Sequence, residues 1–222
     1  MYKLFTFFVT DLKITLKDNC QIYSALLTYI LFGLMGVFIL PQAATPQFGA
    51  GLIWITALLA TVLAADHLHQ VEFKQQWIEH WHFSAYPMEL LILMRWFVYW
   101  LTIILPLLLV TPVLGFFLNI PYIAFKTLIM TLCIGLPGLL SLVMIISYLT
   151  IWLQQRSFLL FLLIIALFIP LFIFAMSAIV AIGQPEIVKF NIQLLAACSL
   201  FWLSIAPWLM AWILKKLLCW EE

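Results

Sequence analysis

Charged positions divide this chain into long apolar runs. Asp, Glu, Lys and Arg are absent from 19–65, 96–125, 127–155, 157–185 and 190–214. A membrane-crossing helix needs about 20 consecutive apolar residues, so the first run is long enough for two helices and each of the others for one. The pattern predicts six spans, near 23–40, 48–65, 97–118, 127–149, 159–182 and 192–214. The first two are separated by Pro41, Pro46 and the polar Gln42, Thr45 and Gln47, a short hairpin outside the hydrocarbon. Barrel strands alternate apolar and polar positions over about ten residues, whereas these runs are apolar on every side, as membrane-buried helices are. The expected fold is an all-α polytopic membrane protein with six transmembrane helices.

Two segments follow a different pattern. Lys3, Thr6, Thr10, Lys13 and Lys17 recur at spacings of three and four, with Leu4, Phe5, Phe8, Val9, Leu12 and Leu16 on the other side. That stripe predicts an amphipathic interfacial helix over 1–18; the alternative is the frayed start of the first span. The remainder, 19–222, is the membrane domain. Within it, 66–89 is too polar to span and too short for a separate domain. Leu68, Val71, Ile78 and Trp81, with Trp77, alternate loosely with Gln70, Glu72, Lys74, Gln75, Gln76, Glu79 and His80, a helix or a broken pair of helices. Pro87 and Glu89 then suit a helix start, with Arg95 expected at the headgroup level. Pro106, Pro112, Pro137, Pro170 and Pro207 fall inside spans as kinks or breaks. Gly135-Leu136-Pro137-Gly138 is the strongest of these signals, for helix interruption or close packing.

Composition agrees with the pattern. With 67% hydrophobic and 9% charged residues and a mean hydropathy of +1.19, a soluble fold is excluded. An N-terminus on the cytoplasmic side places Lys3, Lys13, Lys17, Lys74, Arg95, Arg156, Lys215 and Lys216 inside and only Lys126 and Lys189 outside. This bias satisfies the positive-inside rule and puts both termini and 66–89 in the cytoplasm. The near-neutral charge of +1 leaves no basic surface for nucleic acid. Cys20, Cys133, Cys198 and Cys219 have no CxxC or zinc spacing and are expected as free thiols. The first eighteen residues lack an uninterrupted apolar core and cleavage site, so no secretory signal is expected.

Chemistry is sparse. All four histidines, His67, His69, His80 and His82, lie in 66–89. Imidazole ligates metals and haem, but residues at i and i+2 of a helix point about 200° apart, so neither pair shares a face. A membrane haem- or metal-binding protein using this cluster therefore stands as an alternative. Trp77, Trp81 and Phe83 fit either interfacial anchoring or insertion into a partner. No span carries an ionisable group near its middle, against an ion pump or proton-coupled carrier. No phosphate-binding GxxxxGK[ST] exists, so the chain is expected to be non-catalytic and any ATP to be bound by another subunit.

Three segments carry a family resemblance: Gly49-Ala50-Gly51-Leu52-Ile53-Trp54 leading into Asp66; Ile78-Glu79-His80-Trp81 with Pro87 downstream; and Gly135-Leu136-Pro137-Gly138 with Ile169-Pro170-Leu171-Phe172-Ile173-Phe174. Together with the interfacial helix and the polar stretch between the second and third spans, they resemble the permease half of an ABC-2-type exporter. More specifically they are similar to the cytochrome c maturation permease family CcmB, or haem exporter protein B. Gln75-Gln76 and His67 stand where that family has aspartate-glycine and an arginine, which implies continuous helix in place of a flexible turn. The resemblance implies that 66–89 is the coupling region, with Trp77, Ile78, Glu79 and Trp81 as contacts to a CcmA-like ABC ATPase. It further implies CcmC-like and CcmD-like membrane partners, a CcmE-like haem chaperone, a homodimer of permeases and an inner membrane, bacterial or mitochondrial. The task implied is coupling of ATP hydrolysis to release of the loaded chaperone or to haem export, with haem as pathway ligand and no cofactor bound by this chain. An ABC-2 permease for a lipid or drug shares the same physical features.

Overall fold

The structure, a computed structural model, describes residues 12, 13, 15, 20–39, 46–74, 87–153 and 157–218. These are helical throughout apart from short turns, with no strand among them. The elements in order are α1 (Cys20–Ile39), α2 (Pro46–Lys74), α3 (Met88–Tyr99), a π-helical segment (Trp100–Ile104), α4 (Leu105–Phe117), α5 (Tyr122–Leu153), α6 (Ser157–Val180) and α7 (Pro185–Leu218). The segment from α3 to α4 is one apolar unit, so six helical units correspond to the six apolar runs. Five are long and apolar enough to cross a membrane: Gln47–Ala64, Met88–Phe117, Tyr122–Leu149, Leu163–Val180 and Pro185–Lys216. The apolar stretch of α1, Tyr23–Phe38, is shorter. Among the described residues, five of the six expected spans are thus full-length apolar helices, and the first is represented by the 20-residue α1. Of the interfacial helix expected over 1–18, only 12, 13 and 15 are described, all helical.

Helix α5 is the axis of the bundle and contacts α2, α4, α6 and α7, while α1 packs on α2 and α4. Its residues 138–148 are buried without interruption. This stretch is apolar on nearly every side because it is enclosed by other helices. Small residues make the close approaches that membrane helices need in place of a hydrophobic drive. A Cβ at Gly138 would sit 2.8 Å from the Cα of Ser199 on α7, and one at Gly135 would collide with the Trp54 ring of α2.

The expected breaks at proline resolve differently. Backbone helix runs uninterrupted through Pro137 in α5 and Pro170 in α6, as it does through Pro112 and Pro207. A break at these positions is therefore corrected to a continuous helix: the proline forfeits one backbone bond, and the flanking turns keep theirs. One turn on from Pro137, the Ser141 hydroxyl donates to the Pro137 carbonyl at 2.9 Å, a side-chain bond to the backbone within the helix. Only Pro106 lies beside a departure from α geometry, the π segment that ends two residues before it. A π turn makes room for the proline ring against the preceding turn. Thr102 also donates to the Val98 carbonyl at 2.8 Å.

Between α4 and α5 the chain turns on Asn119, whose φ is 51°. Ile120 N–H donates to Gly115 O and Asn119 N–H to Phe116 O, both at 3.1 Å, the paired bonds of a helix-terminating Schellman turn with asparagine in its left-handed position. At the other connection Pro185 opens α7 with Glu186 behind it, and Lys215 and Lys216 close the same helix. Each suits its end of the helix dipole.

Candidate coupling region and its anchorage in the bundle

The second apolar run does not end as a helix at Ala65. Helix α2 continues to Lys74 and has 29 residues, roughly 43 Å at 1.5 Å per residue. The hydrocarbon core is about 30 Å thick, so α2 is longer than a span requires. Its last ten residues, beginning with Ala65, carry His67 and His69 on the helix backbone. The expected contact residues Trp77, Ile78, Glu79 and Trp81 lie outside the described residues, as do His80 and His82. Among the described residues no group of three or more His, Cys, Asp or Glu converges as a metal site.

The chain re-enters the described bundle at Pro87, whose extended backbone (φ −62°, ψ 137°) caps α3. Proline here is pre-set for a helix start, and its carbonyl receives Leu90 N–H at 3.0 Å. Helix α3 packs on α7 and is fixed there at its first turn, where Lys215 Nζ donates to Glu89 Oε1 at 3.1 Å. Both side chains are substantially exposed, so this pair sets register more than stability.

One turn further in, the structure corrects an expectation. Arg95, expected among headgroups, is buried inside the bundle with only 5% of its surface accessible. Its Nε donates to Tyr99 Oη at 3.3 Å, and its guanidinium carbon stands 5.3 Å from the centroid of the same ring. Tyr148 of α5, also buried, is close enough to interact with it electrostatically. Next to it, Trp96 Nε1 donates to Ser141 Oγ at 2.9 Å, and the Ser141 hydroxyl donates a hydrogen bond to Pro137 O. Trp96 thus joins α3 to α5, while the hydrogen bond and ring contact of Arg95 stay within its own helix unit. An arginine at the centre of a membrane helix costs about 2.5–3.5 kcal/mol on insertion scales, which explains why it is surrounded by a π face, a hydroxyl and polar neighbours. A signal for this node is present in the sequence. Arg95, Tyr99 and Thr102 recur at i, i+4 and i+7, one helical face, and all three are buried.

The other half of the unit has other partners. Helix α4 meets α1, where Tyr29 and Thr111 hydroxyls lie 2.9 Å apart. Thr111 already donates to Leu107 O at 2.8 Å, so the tyrosine is the donor in that pair. Leu114 fills the gap left by Gly33. The π segment therefore joins a half-span held by α5 and α7 to one held by α1.

Of the glycine and proline positions singled out in the sequence, Gly135, Pro137 and Gly138 lie on α5 and Pro170 on α6. Gly135 receives Trp54, whose Nε1 donates to Thr131 Oγ1 at 3.4 Å. Gly138 receives Ser199, and Pro170 lies on the exposed face of α6. The two glycines organise helix packing. A lateral groove of about 590 Å³ lies between α1, α2 and α6, lined by Phe32, Met35, Phe48, Leu52, Phe172 and Met176 among others. Its lining is apolar apart from Gln47 and Thr56.

A family model described as "CcmB protein" matches residues 2–216. Relatives named "Heme exporter protein B" include that of Pseudomonas aeruginosa, 30% identical over 192 residues, which cover 84% of this chain and 86% of the relative. That of Bradyrhizobium diazoefficiens is 31% identical over 204 residues, covering 89% and 90%. That of Haemophilus influenzae is 28% identical over 209 residues, covering 92% and 94%.

Proposed function

This chain belongs to the CcmB family, and from that premise we propose that it is the non-catalytic membrane subunit of a haem-export complex for cytochrome c maturation. In this reading a CcmA-like ATPase docks on 66–89, and its closure on ATP is passed to the bundle to drive release of a haem-loaded, CcmE-like chaperone or export of haem. The observation that carries the reading is the continuation of α2 as one helix to Lys74. A motor outside the membrane moves a span only through an element stiff enough to carry displacement, and an unbroken helix leading from the span is such an element. At the far side of the same stretch α3 enters the bundle through Glu89 and Lys215. Helices α2 and α3 thus border 75–86, and Trp77, Ile78, Glu79 and Trp81 lie between them in sequence.

Helix α1 completes the six spans in this reading, with 66–89 and both termini in the cytoplasm or matrix. Two copies of the chain pair with two ATPase subunits, and CcmC-like and CcmD-like proteins flank them in the inner membrane. Haem is cargo. The described spans contain no histidine along α1 or from α3 to α7, and the role of this subunit is mechanical. The test is reconstitution of the tagged complex in liposomes with the haem-loaded chaperone. ATP-dependent release that is lost on omitting this chain supports the reading; release at the same rate without it overturns it.

A further inference from the structure

We propose that the lateral groove between α1, α2 and α6 is a binding site for a membrane phospholipid, one acyl chain lying along α2 and the headgroup meeting Gln47 at the end of the groove. The inference needs only that these helices cross a membrane, and it stands apart from the coupling reading. Helix α2 divides its faces. Ala50, Ile53, Trp54, Ala57, Ala60 and Thr61 are buried, whereas Gly51, Leu52, Ile55, Thr56 and Leu59 line the groove. Phe32, Met35 and Gly36 of α1 form one wall, and Phe172 and Met176 of α6 the other. Gly51 keeps the floor low, since a Cβ there would already touch the Met176 methyl at 3.4 Å. The rim faces outward, with Phe32, Met35, Phe48 and Ile55 all exposed.

Position, length and polarity together select the occupant. The groove residues fall in the last eight positions of α1, from the second position of α2 onward and in the last nine positions of α6. All three helices therefore place it in one half of the bundle, on the side of the connection 40–46. From Gln47 to Leu59 the helix rises about 18 Å at 1.5 Å per residue. One leaflet contributes about 15 Å, half of the roughly 30 Å hydrocarbon core. The Thr56 hydroxyl donates to Leu52 O at 2.9 Å and Ile53 O at 3.0 Å, so its polarity is spent within α2. What remains is an apolar trough one leaflet deep with an amide at its outer end, the polarity of an acyl chain below its headgroup. Other occupants fit less well. Water needs two to four polar partners, which this lining does not supply. A haem would bring two carboxylates to a lining without Lys, Arg or His. A helix of a second copy is too wide: about 590 Å³ spread over that length is a mean section of roughly 33 Å², against about 80 Å² for a helix 10 Å across. Lipid tails are as apolar as leucine, so shape decides retention here, and with no charge in the lining the site does not select anionic headgroups.

The experiment reconstitutes the full chain in liposomes of phosphatidylethanolamine and phosphatidylglycerol containing a phosphatidylethanolamine with a photoreactive diazirine at the end of one acyl chain. After irradiation, labelled residues are mapped by peptide mass spectrometry. The expected result is several-fold more label on Ile55 and Leu59 than on Leu200 and Phe201, exposed residues of α7 at comparable distance from their helix start. A phosphatidylglycerol probe should give the same enrichment. Ile55→Trp fills the groove from an exposed position and should abolish the enrichment while leaving the α7 label unchanged. Should that variant fail to fold, Gly51→Leu fills the same space from the floor and is read in the same way. Equal label on the groove and on α7 in the wild type would mean ordinary surrounding lipid and overturns the proposal, as does enrichment that survives either filled groove. Stronger enrichment with the unesterified fatty acid carrying the same diazirine overturns the phospholipid assignment. A chain-to-chain disulfide through Ile55→Cys in a cysteine-free background gives the groove to a second copy and overturns it as well.

Discussion

Replacing Gly138 with alanine tests the packing argument at its tightest point. The added Cβ would lie 2.8 Å from Ser199 Cα, with Ser199 Cβ and Oγ both at 3.0 Å, whereas ordinary contact begins at 3.4 Å. The obstacle is backbone, so no rotamer change relieves it, and α5 and α7 must separate by several tenths of an ångström along the largest helix contact in the bundle. Overpacking of this kind costs about 1–3 kcal/mol, and alanine recovers up to about 1 kcal/mol of helix propensity. The net loss is roughly 1–2 kcal/mol, equivalent to a fall in Tm of roughly 2–8 °C for a chain of this size. Gly51→Ala is the internal control, since its Cβ would meet the flexible end of Met176 at 3.4 Å, a thioether that can move aside. Thermal unfolding of both variants in detergent, followed by the loss of the monodisperse peak, gives the comparison. Equal Tm for Gly138→Ala and wild type, or an equal fall in both variants, would refute the reasoning.

Other expectations follow from single contacts. Thr111→Val strands the buried Tyr29 hydroxyl and should cost about 1–3 kcal/mol, more than Tyr29→Phe at roughly 0.5–1.5 kcal/mol; chemical denaturation that ranks them the other way contradicts the donor assignment. Glu89→Gln removes an exposed ion pair and should leave Tm unchanged, because such pairs contribute little; a drop as large as that of Gly138→Ala would show that the pair carries structure. In a cysteine-free background, Lys126→Cys should react with a membrane-impermeant maleimide from outside intact cells and Lys215→Cys should not; the reverse labelling would invert the orientation read from the lysine and arginine bias.

Hydropathy reveals which residues leave water, and it located every apolar helix. The unbroken run 96–125 marks the third unit, and its helix begins at Met88, behind the Pro87 and ahead of the Glu89 that suited a helix start. A charge count cannot see burial by neighbouring helices, which is why Arg95 was expected at the headgroups. Proline at 137 and 170 suggested interruption, but each forfeits a single backbone bond and the helix runs on through both. Gly135 and Gly138 were recognisable as a close-approach signal; that their neighbours are Trp54 and Ser199 depends on pairings between helices far apart in sequence. The π segment was hidden for the same reason, since Pro106 resembles four other span prolines that leave the α-helix intact. The family resemblance was legible in short motifs, and the match over residues 2–216 establishes it. Trp77, Ile78, Glu79 and Trp81 lie outside the described residues, so their role stands on position between α2 and α3.

That role is the central claim, and the recovery of the ATPase tests it most directly. The tagged chain, wild type and with Trp77→Ala and Trp81→Ala combined, is purified from membranes and the molar ratio of ATPase to this subunit is measured. The account requires the ATPase with the wild type and a lower ratio with the double variant, at equal membrane insertion, since buried tryptophans dominate such contacts. An undiminished ratio with full stimulation of ATP hydrolysis would contradict it.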